Sequence, residues 1–216
     1  YTQGLFYHNG FLYEGTGQNG SSSLRKVELE TGKVIQSNNL SQEYFGEGIA
    51  LLGGKIYQLT WTSGIGFVYD VETFKKSQSF NYSTQGWGLT TNGGELIMSD
   101  GSNILYFMEP NGFSEVKKVE VFDNYGPQKM LNELEYIDGK IWANVFTTNR
   151  VVIIDPQSGA VVSLGDYRRP AICLACGLSR KHAAEIGETF GSRCRLGARA
   201  EARSAIGRVT EGREEP

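Results

Sequence analysis

The 216-residue chain is long enough for one domain with a substantial core. Its net charge of −3 offers no basic footprint for nucleic acid, and no apolar run reaches the ~18 residues of a membrane span. Composition breaks near Val162. Residues 1–162 hold 23 of the 25 aromatics and three of the 11 alanines, so the remaining segment, 163–216, has the makeup of a different kind of chain.

In chain order, "YTQGLFYHNGFLYEG" already reads as two strands around a turn. No signal peptide precedes it, so a natural N-terminus is expected to have been removed. His8 falls at the strand end beside the turn. "LRKVELETGKVIQ" adds two more strands around an acidic turn. "EGIALLGGKIYQLTW" is the next hairpin, followed by the pair in "GFVYDVETFKKSQSF". "WGLTT" and "GELIMSDG" lead into "ILYFMEPNGFSEVKKVEV". "NELEYI" and "GKIWANVF" lead into "RVVIIDPQSGAVVSL". Gly10, Gly54, Gly94 and Gly139 open equivalent strands at spacings of 44, 40 and 45.

Four short strands per 40–45 residues is the period of a β-propeller blade. A solenoid would have fewer strands per turn and a shorter period. The reading is an all-β chain with four blades in residues 1–162. Asp70, Asp100 and Asp155 fall in blade turns, where a carboxylate caps backbone N–H groups.

Gln3, Glu47, Trp87 and Asn132 occupy one place in the four repeats, each ahead of its blade's innermost strand. In a propeller such positions share one end of the central channel. Glu47 lies between Gly46 and Gly48, which lets the backbone bend sharply and admits a plain reading as a solvated turn acid. An amide, an acid, an indole and a second amide at equivalent places point instead to a pocket with divided roles.

Taken together, "TQGL", "SSSLRKVELETGKV", "YFGEG", "IYQLTW", "GFVYD", "GWGLT", "LIMSDGS", "LNELEY" and "ANVF" resemble the glutaminyl cyclases of plants and bacteria (glutaminyl-peptide cyclotransferases). The resemblance runs in collinear order to about residue 162. It implies a five-bladed propeller that converts the N-terminal glutamine of peptides or proteins to pyroglutamate and releases ammonia, with no metal or other cofactor. Glu47 would bind the α-amine and shuttle its proton, and Asn132 would orient the amide oxygen or stabilise the oxyanion. Gln3 would hold substrate by hydrogen bonds. Tyr1, Phe45, Trp61 and Trp87 would wall the pocket, as would Phe146, which stands where the family commonly has tryptophan. Trp61 and Trp87 are also consistent with inter-blade core, and Trp142 reads as packing. Glu133 and Glu135 flank the Asn132 strand start, with Glu135 either supporting the pocket or lying on a solvated face.

The family also carries a fifth blade and a pocket lysine, and neither follows here. Residues 163–216 form an Ala-, Arg- and Gly-rich tail, expected to be helical or disordered in place of that blade. Cys173-x-x-Cys176 with His182 and Cys194 is a weak metal pattern. The rival readings are a propeller remnant that is inactive or only binds peptides, and an unrelated propeller hydrolase, which would need more acids and amides around the channel than Glu47 and Asn132. Asn19, Asn39 and Asn81 open glycosylation sequons, and the family is commonly secreted, periplasmic or within the secretory pathway.

Overall fold

The structure is a computed structural model and describes residues 1–166. The expectations for the fifth blade and for Cys173, Cys176, His182 and Cys194 lie outside the described residues.

Each repeat forms one four-stranded antiparallel sheet in simple sequential order. Blade one comprises β1 (Thr2–His8), β2 (Phe11–Thr16), β3 (Ser23–Glu28) and β4 (Val34–Asn39). Blade two comprises β5 (Gly46–Leu52), β6 (Lys55–Thr60), β7 (Ile65–Asp70) and β8 (Lys76–Asn81). Blade three comprises β9 (Leu89–Thr91), β10 (Leu96–Ser99), β11 (Ile104–Met108) and β12 (Glu115–Glu120). A short ribbon, β13 (Phe122–Asp123) with β14 (Gly126–Pro127), leads to blade four. Blade four comprises β15 (Leu131–Ile137), β16 (Lys140–Val145), β17 (Arg150–Ile154) and β18 (Val161–Asp166).

The turns follow the sequence pattern, with one variation. Asn9-Gly10, Gly53-Gly54 and Asp138-Gly139 are two-residue hairpin turns with both residues at positive φ. His8 ends β1 beside the first of them. Blade three uses a four-residue loop, Asn92–Glu95, and Gly93 rather than Gly94 takes the left-handed conformation. The Asn92 side-chain oxygen accepts the N–H groups of Gly94 and Glu95, which stabilises the longer loop. Asp70, Asp100 and Asp155 accept from backbone N–H groups two or three residues ahead, as their turn positions require.

Three cores separate the four blades, and period-two alternation assigns each side chain to one of them. In β6, Ile56 faces blade one, while Tyr57 and Leu59 face blade three. In β11, Leu105 and Phe107 face blade four, while Tyr106 and Met108 face blade two. These middle blades are buried on both sides, so their central strands show almost unbroken burial. Blade four is different. Ile141, Ala143 and Val145 of β16 pack against blade three, while Trp142 and Asn144 are half-buried on the other face. Trp142 joins none of the three cores. Among the described residues, no core joins blade four to blade one.

The inner strands approach through glycine. A Cβ on Gly4 would lie 2.5 Å from the Ile49 nitrogen, and one on Gly48 would lie 2.5 Å from the Leu89 nitrogen. One on Gly88 would lie 2.1 Å from the Asn132 carbonyl oxygen. No side chain fits at those distances, so residues 4, 48 and 88 must be glycine for β1, β5, β9 and β15 to stand side by side.

Candidate functional site

The same contacts build the site. Gln3, Glu47 and Trp87 each adjoin one of the close-packed glycines Gly4, Gly48 and Gly88, and the Asn132 carbonyl meets Gly88. The Gly48 N–H donates to the Trp87 carbonyl at 2.8 Å. Ser99 Oγ donates to the Asn132 carbonyl at 2.7 Å and accepts the Gly88 N–H at 2.8 Å. Three of the four positions lie where strand register breaks: Gln3 between Thr2 and Gly4, Glu47 between Gly46 and Ile49, and Asn132 between Leu131 and Leu134. A bulge re-aims a side chain away from the regular alternation. Here it recurs at the residues that the repeat alignment singles out.

The expectation of a sharp bend at Gly46-Glu47-Gly48 is corrected. Both glycines lie within β5, and neither has positive φ. They are small because neighbouring blades press on them: a Cβ on Gly46 would lie 2.7 Å from the Thr16 carbonyl oxygen. Glu47 is consequently not a solvated turn acid. It is 6% exposed, and burial lifts its carboxyl from the ordinary 4.5 to about 8.

Glu133, which flanks the Asn132 strand start, is a second buried acid. The residue as a whole is half-buried, yet its Oε2 is shut away from solvent without a hydrogen-bond partner among the described residues. Its carboxyl is held well above the usual range, chiefly by burial and further by the charges of Glu135 and Glu47. Glu135 is half-buried.

Aromatic side chains pair around Phe45, two residues before Glu47, and around Trp87. The Phe45 ring lies over Gly17, where a Cβ would come within 2.2 Å of it. Phe45 meets Trp61 edge-on at 5.7 Å between centroids, and Trp87 meets Phe146 in the same way at 5.4 Å. The rim is tied by backbone bonds from the Trp61 N–H to the Phe45 carbonyl and from the Gly86 N–H to the Trp61 carbonyl, both 2.9 Å. Further round, the Met130 N–H donates to Gly101 and the Phe146 N–H to Met130. Trp87 lies on Gly101, whose φ of +82° and lack of a side chain leave room for the indole. Neither Trp61 nor Trp87 belongs to the three inter-blade cores, while Trp87 packs on Gly101 of blade three and meets Phe146 at the end of β16. Trp61 is 42% exposed and Phe146 is 47% exposed. The Tyr1 side chain stands outside this run at 77% exposure, although its carbonyl accepts the Gly17 N–H at 2.9 Å.

Two further residues brace this wall and carry no sequence signal. The Tyr82 hydroxyl accepts the Thr60 N–H at 2.8 Å and donates to the Thr60 carbonyl, which fixes the chain just before Trp61. Burial raises the Tyr82 hydroxyl above its usual range, and the Glu47 charge adds to the effect. Gln85 accepts from both indole N–H groups. Among the described residues, no three His, Cys, Asp or Glu side chains form a metal-ligand set.

This arrangement can bind an amine, exchange a proton with it at a protected carboxyl, and enclose an adjoining group between indoles. The comparisons with known proteins give the family. A family model described as glutamine cyclotransferase matches residues 1–170. A glutaminyl-peptide cyclotransferase of Arabidopsis thaliana is 42% identical over 164 residues, covering 75% of this chain and 51% of that protein. The chain thus spans about half the length of this curated relative. The crystal structure of Myxococcus xanthus glutaminyl cyclase superposes with a TM-score of 0.71 at 38% identity, over 76% of this chain and 70% of that one. A β-propeller domain from Myceliophteria thermophila, 12% identical with a TM-score of 0.52, shares the fold alone over 76% of this chain and 55% of its own.

Proposed function

The chain belongs to the glutamine cyclotransferase family, and from that premise we propose that it converts the N-terminal glutamine of peptides or proteins to pyroglutamate. The observation that carries this reading is the buried Glu47 carboxyl, lifted by burial to about 8, two residues along the chain from Phe45, whose ring meets Trp61. An α-amine titrates near 7.7–8.0, so proton exchange between it and Glu47 is close to thermoneutral.

The α-nitrogen attacks the side-chain amide carbon of the same residue, and the new C–N bond closes a five-membered ring. Because the nucleophile is already attached, holding the chain bent supplies much of the rate. Glu47 takes a proton from the attacking nitrogen and returns it to the departing one. The old C–N bond breaks and ammonia leaves. The Asn132 side chain donates to the oxygen as it gains negative charge. Gln3 holds the substrate through its amide. Phe45, Trp61, Trp87 and Phe146 shield the reacting carbon from water, with Tyr1 at the outer edge. Incubating the chain with a Gln-initiated peptide and measuring pyroglutamate and ammonia tests the proposal. Absence of both products from folded protein would refute it.

Asn132→Ala is expected to lower kcat by roughly 10²–10³ with little change in KM, because its contact strengthens only as the oxyanion forms. Steady-state kinetics on the same peptide would check this, and an effect confined to KM would make Asn132 a ground-state binding residue instead.

We also place the protein in the secretory pathway, outside the cell or in the periplasm. Asn19, Asn39 and Asn81 are all exposed, as acceptor sites for glycans must be. Expression through a eukaryotic secretory route should yield a product whose mobility increases on N-glycosidase treatment. Unchanged mobility would count against use of these sequons.

A further inference from the structure

Trp61 reaches the site from the end of β6 and Trp87 from the start of blade three, yet both indole N–H groups end on one atom. Trp61 Nε1 and Trp87 Nε1 each lie 2.9 Å from the side-chain oxygen of Gln85. We propose that Gln85 is a positioning residue that clamps the two indoles into one wall and thereby sets the slot for the substrate's glutamine side chain. The inference rests on the function proposed above, while the clamp itself can be tested without it.

Three physical facts carry the assignment. A carboxamide oxygen has two lone pairs and can accept two N–H bonds at once, whereas its NH2 end cannot face two donors. The two bonds therefore fix which end of Gln85 points at the indoles. They also keep the two Nε1 atoms no farther apart than twice 2.9 Å. Each indole has a second anchor at its other side: Trp61 against the Phe45 ring, and Trp87 against Gly101. Removing the shared acceptor leaves Trp61 with the Phe45 contact and Trp87 with Gly101 and Phe146, and frees Trp61 above all to turn about its side-chain torsions. For Trp61 this matters most, because a 42% exposed indole has few packing neighbours to hold it. An ordered wall reduces the entropy lost when substrate enters. Gln85 is itself exposed, so replacing it disturbs no core.

The test uses the full chain with Gln85→Met, which keeps size and removes the acceptor, and Gln85→Glu, which keeps an acceptor oxygen. The chain has three tryptophans and therefore three indole N–H signals in a 15N-correlated NMR spectrum. Gln85→Met should move the Trp61 and Trp87 signals and leave that of Trp142 in place. Gln85→Glu should keep both bonds. With a Gln-initiated peptide, Gln85→Met should raise KM about tenfold with kcat changed less than about threefold, and Gln85→Glu should stay within about threefold of wild type in both. Unmoved Trp61 and Trp87 signals in Gln85→Met would overturn the clamp. An unchanged KM would overturn its role in the slot, as would a Gln85→Glu variant as impaired as Gln85→Met. Wild-type protein that makes no pyroglutamate would overturn the proposed reaction instead, and the indole signals would then decide the clamp alone.

Discussion

Glu47→Gln is expected to abolish turnover, by about 10³-fold in kcat, while gaining stability relative to wild type as pH rises from 4.5 to 8. The loss follows from chemistry: an amide of the same size cannot take the amine's proton or return it to the leaving nitrogen, and general acid–base catalysis supplies roughly 10²–10⁴. The gain follows from linkage. The unfolded carboxyl releases its proton near 4.5, whereas the folded one keeps it to about 8. The native state therefore binds more protons across that window, so stability is greatest below 4.5, falls as pH rises to 8, and levels off above. Glutamine does not titrate, so the variant escapes this fall. The difference in melting temperature between variant and wild type should widen from pH 5 to 8. The wild-type kcat/KM should rise over pH 6–8 as the carboxylate and the free amine form. A variant with near-normal turnover would remove Glu47 from the mechanism, and a stability difference independent of pH would show that its carboxyl is not buried in solution.

Gly88→Ala should be among the most damaging single methyl additions at the described glycines. Its Cβ would fall 2.1 Å from the Asn132 carbonyl oxygen and 2.7 Å from the Glu133 Cα. Both are main-chain atoms, so no rotamer change relieves the overlap and blades three and four must move apart. Overpacking a core typically costs 1–3 kcal/mol, and a clash with backbone lies at or beyond the upper end. The separation also strains the relay from the Gly88 N–H through Ser99 to the Asn132 carbonyl. A loss of about 3 kcal/mol lowers the melting temperature by roughly 6–12 °C for a chain of this size. Gly94→Ala is the matched control, because its Cβ would meet nothing closer than an Asn92 side-chain atom at 3.7 Å. It should melt within a degree or two of wild type. Equal melting of the two variants would refute the glycine contact as the reason for the repeat. Activity should fall with stability in Gly88→Ala, because the displaced blade carries Asn132.

Much of this architecture is legible in the chain itself, because a propeller repeats its instructions. Short alternating strands, tight turns and a 40–45-residue period specify four sheets, and the turn aspartates and hairpin glycines fall where local chemistry alone demands them. Alignment of the repeats also exposes Gln3, Glu47, Trp87 and Asn132, since equivalent places in a ring converge whatever the details. The meaning of Gly46 and Gly48 was not legible. A glycine that serves a bend and one that admits a neighbouring strand are identical in sequence, and only the Thr16 and Leu89 main-chain atoms tell them apart. The burial of Glu133 was not legible either, because the β15 register breaks between Leu131 and Leu134 and alternation no longer assigns a face. Gln85 and Tyr82 gave no signal at all. Their distant partners, Trp61 and Thr60, lie 24 and 22 residues back, and these hydrogen bonds depend on how the chain after β8 returns to the end of β6. Local propensity and periodicity thus determined the strands, the blades and the ring of candidate positions. Which side chains lose their water, and which meet across blades, was decided by tertiary structure, because desolvation and distance are properties of the assembled neighbours rather than of any one stretch of chain.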